Sequence, residues 1–225
     1  MNKISQMLAL QQQLNDTTNG KGWEDGMTKN GKLIDWKRAS YLECAELIES
    51  YPWKHWKNIN AQPDYDNIKI EAVDIWHFIM SQMLQDYARE NLGTIDDLTV
   101  SIELIDNYPE FSRDLTPTTK DYYEQIETVE DLMRVLFCDE SPEKLMRAFI
   151  EVAVQSGLNL DSLYQLYIGK NILNKFRQDH GYKEGSYIKM WNGEEDNVVM
   201  QRILDRNPAT TPGELYRRLE EAYPE

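Results

Sequence analysis

Hydrophobic positions recur along almost the whole chain with the three-to-four-residue spacing of one face of an α-helix. No stretch alternates between polar and apolar residues over the length of a strand, and hairpin signals are few. The pattern therefore predicts an all-α fold. The predicted helices cover residues 3–17, 36–51, 67–91, 95–107, 121–137, 142–157, 159–181, 195–207 and 212–223.

Turn signals mark several of these helix ends. Gly157 follows an apolar run, Gly181 follows Asp179-His180, and Thr211-Pro-Gly-Glu has the N-cap and first-turn proline of a starting helix. Long polar connections at 19–32 and 53–66 separate the first three predicted helices. Connections of this length often carry functional residues.

Composition narrows the class of protein. The chain has 225 residues with an ordinary globular balance of apolar and charged side chains, and a net charge of −15 argues against a broad nucleic-acid surface. No apolar stretch approaches the roughly 20 residues that span a bilayer, and the first 13 residues lack signal-peptide features. Cys44 and Cys138 fall inside helical patterns, which favours reduced thiols and a cytoplasmic protein.

Two acidic pairs are the sharpest chemical feature. Glu43-Cys-Ala-Glu46 and Glu71-Ala-Val-Asp74 lie on consecutive predicted helices, each pair at i, i+3 and so on one helical face. Such pairs usually decorate solvated faces. Here the helical wheel places them beside apolar positions, so we expect all four acids to point inward.

Buried carboxylates need a partner. Burying an ionised carboxylate costs several kcal/mol unless it is paired or coordinates a metal. An all-oxygen set suits Mg²⁺, with Mn²⁺ as a substitute, and one carboxylate could accept a proton from an attacking water. Glu46 is the candidate for that base. The quartet therefore predicts phosphoryl chemistry.

The two acidic motifs resemble the signature of the all-α nucleotide pyrophosphatases, which include MazG-type enzymes and dimeric dUTPases. In that superfamily the matching acids bind Mg²⁺ in a four-helix core. The resemblance implies that Glu43, Glu46, Glu71 and Asp74 are metal ligands here, and none of the four is replaced.

A nucleoside pocket is predicted near the N-terminus. Gln11 and Asn15 share a helix face and offer amide groups to a base edge, although surface amides are the commoner explanation. Trp53 and Lys57 belong to an aromatic and basic cluster that could stack on a base or reach phosphates, or could simply anchor a helix end. His77 follows Asp74 by three residues, where a hydrogen-bonded core histidine is the commoner case.

This stretch is similar to dimeric dUTPases well beyond the acidic residues. The resemblance implies that Gln11, Asn15, Trp53 and His77 surround the uracil and deoxyribose. Within such a pocket a 5-methyl group can be rejected by packing, and a cytosine amine by mismatched hydrogen-bond polarity.

A local basic segment is predicted to bind phosphates. Residues 170–189 contain five Lys or Arg and two Asp or Glu, a local charge of +3. Lys170, Asn174 and Arg177 share one helical face, which could also be an ordinary cationic surface. Tyr182, Lys183 and Lys189 follow the helix break.

The resemblance to dimeric dUTPases continues through this segment to Asn197. It implies that Asn197 lies near the site and that several residues contact phosphates or position the nucleotide, namely Lys170, Asn174, Arg177, Tyr182 and Lys189. The glycines at 181 and 185 indicate a segment that closes over substrate.

The expected function is Mg²⁺-dependent hydrolysis of dUTP, and of dUDP, to dUMP with release of pyrophosphate or phosphate, which supplies dUMP for thymidylate synthesis. The alternatives are a related pyrimidine nucleotide pyrophosphatase acting on dCTP or a modified dNTP, or a family member that also binds a repressor protein if the chain is phage-encoded.

We expect a homodimer with one all-α domain per chain, comprising a four-helix metal-binding core (1–86 and 158–225) and a mobile helical lobe (87–157). No membrane or nucleic-acid partner is expected.

Overall fold

A computed structural model describes residues 2–58, 60–113, 121–138, 141–207 and 210–224. The fold is all-α, as the sequence predicts, with one short hairpin. The helices are α1 (Lys3–Asn19), α2 (Trp36–Glu49), α3 (Tyr65–Glu90), α4 (Ile95–Glu103), α5 (Tyr108–Phe111), α6 (Tyr122–Phe137), α7 (Pro142–Gln155), α8 (Leu160–Asp179), α9 (Asp196–Arg206) and α10 (Pro212–Ala222), and the strands are β1 (Met190–Trp191) and β2 (Glu194–Glu195).

Side-chain caps explain where several helices begin. Thr94 and Asp97 form a reciprocal capping box at the start of α4, and the Thr211 hydroxyl accepts from the Glu214 amide at the start of α10. The predicted N-cap at Thr211 is therefore confirmed. These bonds satisfy amides that have no partner within the first helical turn.

Apart from shifts of one or two residues at helix ends, the structure departs from the predicted elements in two respects. The predicted helix 95–107 ends at Glu103, and α5 begins separately with Pro109 in its first turn. Proline lacks an amide hydrogen and so is tolerated in a first turn but not inside a continuing helix. The β1–β2 hairpin was not predicted, although its turn, Asn192-Gly193, has the left-handed φ values of 52° and 90° that this dipeptide adopts readily.

The chain divides into two compact units, Met1–Leu163 and Tyr164–Glu225. In the first, α3 is buried along most of its length and packs against α1, α2, α4 and α7, while α6 packs against α2 and α7. In the second, α9 packs against α10 and the hairpin. The predicted division into a core and a mobile 87–157 lobe stays a prediction.

An aromatic cluster forms the core of the second unit. The Phe176 ring lies 3.8 Å from His180, 5.4 Å from Tyr223 and 5.7 Å from Trp191, measured between ring centroids. The Tyr223 hydroxyl accepts a hydrogen bond from the Ile188 amide at 3.0 Å. The end of α10 thus holds the loop that precedes the hairpin.

None of the helices in the described ranges combines the length and the apolar character that crossing a bilayer requires.

The two cysteines should differ sharply in reactivity. Both are free; Cys44 is buried, and burial, together with the neighbouring Glu43 charge, raises the pKa of its thiol to about 12, whereas Cys138 is exposed. Because the thiolate is the reactive form, we expect a disulfide reagent to titrate one thiol in the native protein and two after denaturation. Rapid native titration of both thiols would contradict the buried position of Cys44.

Candidate active site

Three carboxylates from two neighbouring helices converge in the first unit. Glu43 and Glu46 of α2 and Glu71 of α3 each offer an oxygen, and these oxygens all lie within 4.8 Å of one another. Glu71 is buried, Glu43 is half-buried and Glu46 is exposed. The arrangement has the like-charge crowding that a hard cation relieves.

The packing of α2 on α3 brings these acids together. The buried residues of α2 are Ser40, Cys44 and Leu47, and this stripe lies against α3. At the start of α3, the Asn67 side-chain amide donates to Glu71 Oε1 at 3.2 Å and to Ser50 Oγ at 2.8 Å. Asn67 therefore ties the end of α2 to Glu71, a role that sequence reasoning missed.

The prediction that all four acids point inward is wrong for Glu46. Glu43 lies beside the buried stripe of α2, but Glu46 is roughly 60° further round the helix and is exposed. Asp74 is half-buried and does not belong to the group of three converging oxygens. The structure thus assembles three of the four predicted ligands.

A buried polar network joins α1 to α3. His77 Nδ1 lies 2.7 Å from Gln11 Oε1, and the Gln11 amide nitrogen donates to Asn15 Oδ1 at 3.3 Å. Both amide nitrogens also donate to Ser81 Oγ, each at 3.0 Å. The structure therefore brings together three residues that the resemblance to dimeric dUTPases assigns to the nucleoside pocket, and it adds Ser81, which sequence reasoning missed.

Trp53 and Lys57 lie in the connection between α2 and α3. Trp53 is half-buried, its ring meets Trp56 edge to face at 5.5 Å, and Lys54 Nζ lies 5.4 Å from its centroid. Its indole nitrogen is buried and has no hydrogen-bond partner within the described residues. Lys57 is exposed.

In the second unit, a buried carboxylate organises the predicted phosphate ligands. Asp196 is fully buried, and its carboxylate accepts hydrogen bonds from Nε and Nη2 of Arg177, each at 2.8 Å. The Tyr187 hydroxyl donates to the same carboxylate at 2.8 Å. Asn197 Oδ1 accepts from Lys170 Nζ at 2.9 Å and from Arg177 at 3.3 Å, and Asn174 accepts from Arg177 at 3.3 Å.

This network sets the protonation of its members. Burial alone would raise the pKa of Asp196, but the bonds and charge of Arg177, with smaller contributions from the Tyr187 hydroxyl and the Asn197 amide, hold that pKa below its ordinary value of 3.8. Burial and the Asp196 carboxylate raise the pKa of Tyr187 above its ordinary value. Asp196 thus stays ionised and Tyr187 stays neutral at neutral pH.

The other predicted residues of the basic segment are exposed. Tyr182 lies 5.9 Å from the Arg177 guanidinium, measured to its ring centroid, and Lys189 Nζ pairs with Glu195 at 3.4 Å. Lys183 is exposed in the same loop. The turn depends on Gly181, whose φ is +84° and whose Cβ, if present, would lie 2.1 Å from Ser186 Oγ.

An all-helical chain that gathers three carboxylates between two packed helices resembles the all-α nucleotide pyrophosphatases. A family model described as dUTPase matches residues 3–182, and the chain accordingly belongs to this family, the dimeric all-α dUTPases. It is a dUTP-hydrolysing enzyme. None of the curated proteins compared with the chain matches it. The family match includes the carboxylates and the amide network, while Lys183, Lys189 and Asn197 lie beyond it.

Proposed function

We propose that the protein hydrolyses dUTP to dUMP and pyrophosphate in a Mg²⁺-dependent reaction at the carboxylate cluster. The observation that carries the proposal is the convergence of Glu43, Glu46 and Glu71 within 4.8 Å. Family membership supports dUTP as the substrate. The same chemistry on dUDP would release phosphate, and we propose that the enzyme works as a homodimer.

The donor set fits a divalent metal ion. Enzymes of this family generally use one, and carboxylate oxygens are the ligands that Mg²⁺ and Mn²⁺ prefer. Glu43, Glu46 and Glu71 would hold the ion, with Asp74 one turn beyond Glu71 on α3 as a further ligand. When bound, the metal would lower the pKa of a water molecule and neutralise phosphate charge.

We assign the general base to Glu46. Its carboxylate belongs to the converging group, yet it is the one exposed member and so is open to water. Water attacks phosphorus, the phosphoanhydride bond between the α and β phosphates breaks, pyrophosphate leaves and the proton of the attacking water passes to Glu46. Asn67 keeps Glu71 in place through its amide bond at 3.2 Å.

The remaining predicted residues bind the nucleotide. We propose that Gln11, Asn15, His77 and Trp53 surround the deoxyuridine, supported by the buried network that joins the first three. The indole nitrogen of Trp53, which is buried and has no hydrogen-bond partner in the described part of the chain, is available as a donor. Phosphate contacts are assigned to the cationic and polar residues Lys57, Lys170, Asn174, Arg177, Tyr182, Lys183 and Lys189, with Asn197 holding Lys170.

A pyrophosphate-release assay tests the proposal. With dUTP we expect rapid release in the presence of Mg²⁺, partial replacement by Mn²⁺, and loss of activity with a chelator, because the carboxylates repel a triphosphate unless a cation lies between them. Initial rates on dUTP, dUDP, dCTP, dTTP and UTP, measured side by side, define the substrate. A higher kcat/KM for dCTP than for dUTP, or full activity without a divalent ion, would contradict this assignment.

A further inference from the structure

We propose that Ser81 sets the preference of the site for uracil over cytosine by fixing the orientation of two side-chain amides. The inference rests on the proposed function, in which Gln11 and Asn15 face the base. Ser81 touches no base itself. It is a positioning residue whose hydroxyl decides which amide atom each neighbour can present.

The hydrogen of the Ser81 hydroxyl is already committed to one acceptor. It is fully buried and donates its only hydrogen to the His77 carbonyl oxygen, one turn earlier on α3, at 2.8 Å. It can therefore only accept from its other neighbours, and the amide nitrogens of Gln11 and Asn15 each lie 3.0 Å away. One donor and two acceptor positions use the full capacity of a hydroxyl.

Because Ser81 can only accept from its neighbours, it also fixes the orientation of the Gln11 amide and the position of a hydrogen on His77. Gln11 Nε2 donates one hydrogen to Ser81 and the other to Asn15 Oδ1 at 3.3 Å. Gln11 Oε1 therefore faces His77 Nδ1, 2.7 Å away, and must accept from it. Nδ1 of His77 accordingly carries a hydrogen. Each orientation follows from the one before it, beginning at the serine.

The Asn15 amide keeps one donor and one acceptor for the base, and their relative positions are fixed. Its described bonds use one of the two hydrogens of Nδ2 and one lone pair of Oδ1, so an N–H and an acceptor remain side by side. This order matches the N3–H donor and adjacent carbonyl of uracil. Cytosine has an acceptor at N3 beside an amine donor, the reverse order, and would fit only if the Asn15 amide turned through half a revolution.

The network opposes that rotation. Turning Asn15 would place Oδ1 against the Ser81 oxygen, whose hydrogen is committed to the His77 carbonyl, and would place Nδ2 against the donating Gln11 Nε2. Asn15 and Gln11 are each 3% exposed, so water cannot restore the lost bonds. Without the serine hydroxyl, the first of these two obstacles disappears.

The test is the ratio of kcat/KM for dUTP to kcat/KM for dCTP in Ser81→Ala. We expect the ratio to fall by about tenfold or more relative to the unmodified enzyme, because the change removes one of the two obstacles that hold Asn15 in the orientation for uracil. Ser101→Ala is the matched control. Ser101 also donates to the carbonyl one turn earlier, at 3.0 Å, and accepts from Tyr87 at 2.7 Å, but it lies outside the amide network, so its ratio should stay within about twofold.

A folded Ser81→Ala protein with an unchanged ratio would overturn the inference. Ser81→Cys conserves volume with much weaker hydrogen bonding, and its ratio decides the question if the alanine variant does not fold.

Nitrogen-15 spectra of the imidazoles give a readout independent of turnover. The chain has three histidines, and His180, whose Nδ1 lies 2.8 Å from the Phe176 carbonyl, is an internal reference for an Nδ1–H ring. A His77 ring without a hydrogen on Nδ1 would overturn the inference, whereas an unmodified enzyme inactive on dUTP would overturn the proposed function.

Discussion

Glu71→Gln is expected to reduce kcat/KM for dUTP by about 10²–10³-fold or more, the range seen when a group that stabilises transition-state charge is lost. Glu71 is the buried member of the three converging carboxylates, so its charge is the least screened by water. Glutamine keeps the side-chain shape and can still accept from Asn67, which bonds to Glu71 at 3.2 Å. The change therefore removes charge while leaving the packing of α2 on α3 intact.

The measurement pairs steady-state kinetics with thermal unfolding at increasing Mg²⁺. A ligand that binds only the folded state raises its stability, so Mg²⁺ should raise Tm in the unmodified enzyme and should do so far less in the variant. Glu127→Gln and Glu130→Gln are matched controls, because these acids have the same i, i+3 spacing on α6 but are both exposed. Equal activity losses in the controls, or an undiminished Mg²⁺ response in Glu71→Gln, would refute the metal assignment.

Helices were the most predictable part of the fold. Their apolar spacing and caps are local properties, so α1, α2, α6, α7 and α10 begin within a residue of the predicted positions. The break after Glu103 was missed because the apolar pattern continues past it, and the position of Pro109 in a new first turn is decided by packing. The hairpin was missed for a different reason. Its two-residue strands are too short to show alternation, although the Asn192-Gly193 signal was present.

Residues with direct chemistry were easier to predict than the residues that orient them. The acidic pairs can be recognised from their i, i+3 spacing alone. Asn67 and Ser81, in contrast, are ordinary helix residues. Their roles depend on contacts with Ser50 and Gln11, which lie on other helices or at their ends. Asp196 lies in an acidic run and gave no local sign of burial. Such positions depend on tertiary packing, which hydrophobic periodicity does not specify.

Asp196→Asn is expected to destabilise the second unit by about 3–5 kcal/mol, the cost of removing one partner from a buried ion pair. The carboxylate is fully buried, and Arg177 bonds to it through Nε and Nη2, each at 2.8 Å, with its own side chain 12% exposed. Asparagine offers only one oxygen and turns an amide donor toward the guanidinium. Denaturant unfolding followed by tryptophan fluorescence measures the loss, since Trp191 lies in the aromatic cluster of this unit.

The control and the pH dependence separate this effect from a general loss of charge. Asp179→Asn removes a carboxylate that binds Lys175 and Tyr216 in the same unit but is exposed, so it should cost no more than about 1 kcal/mol. Because folding lowers the pKa of Asp196 below 3.8, its contribution is complete above that pH and is lost as the pH falls through the lower, folded value. The gap in unfolding free energy between the unmodified protein and Asp196→Asn should therefore narrow below about pH 4. A gap that stays constant to pH 2, or equal losses in the two variants, would show that the Asp196–Arg177 pair does not organise this unit.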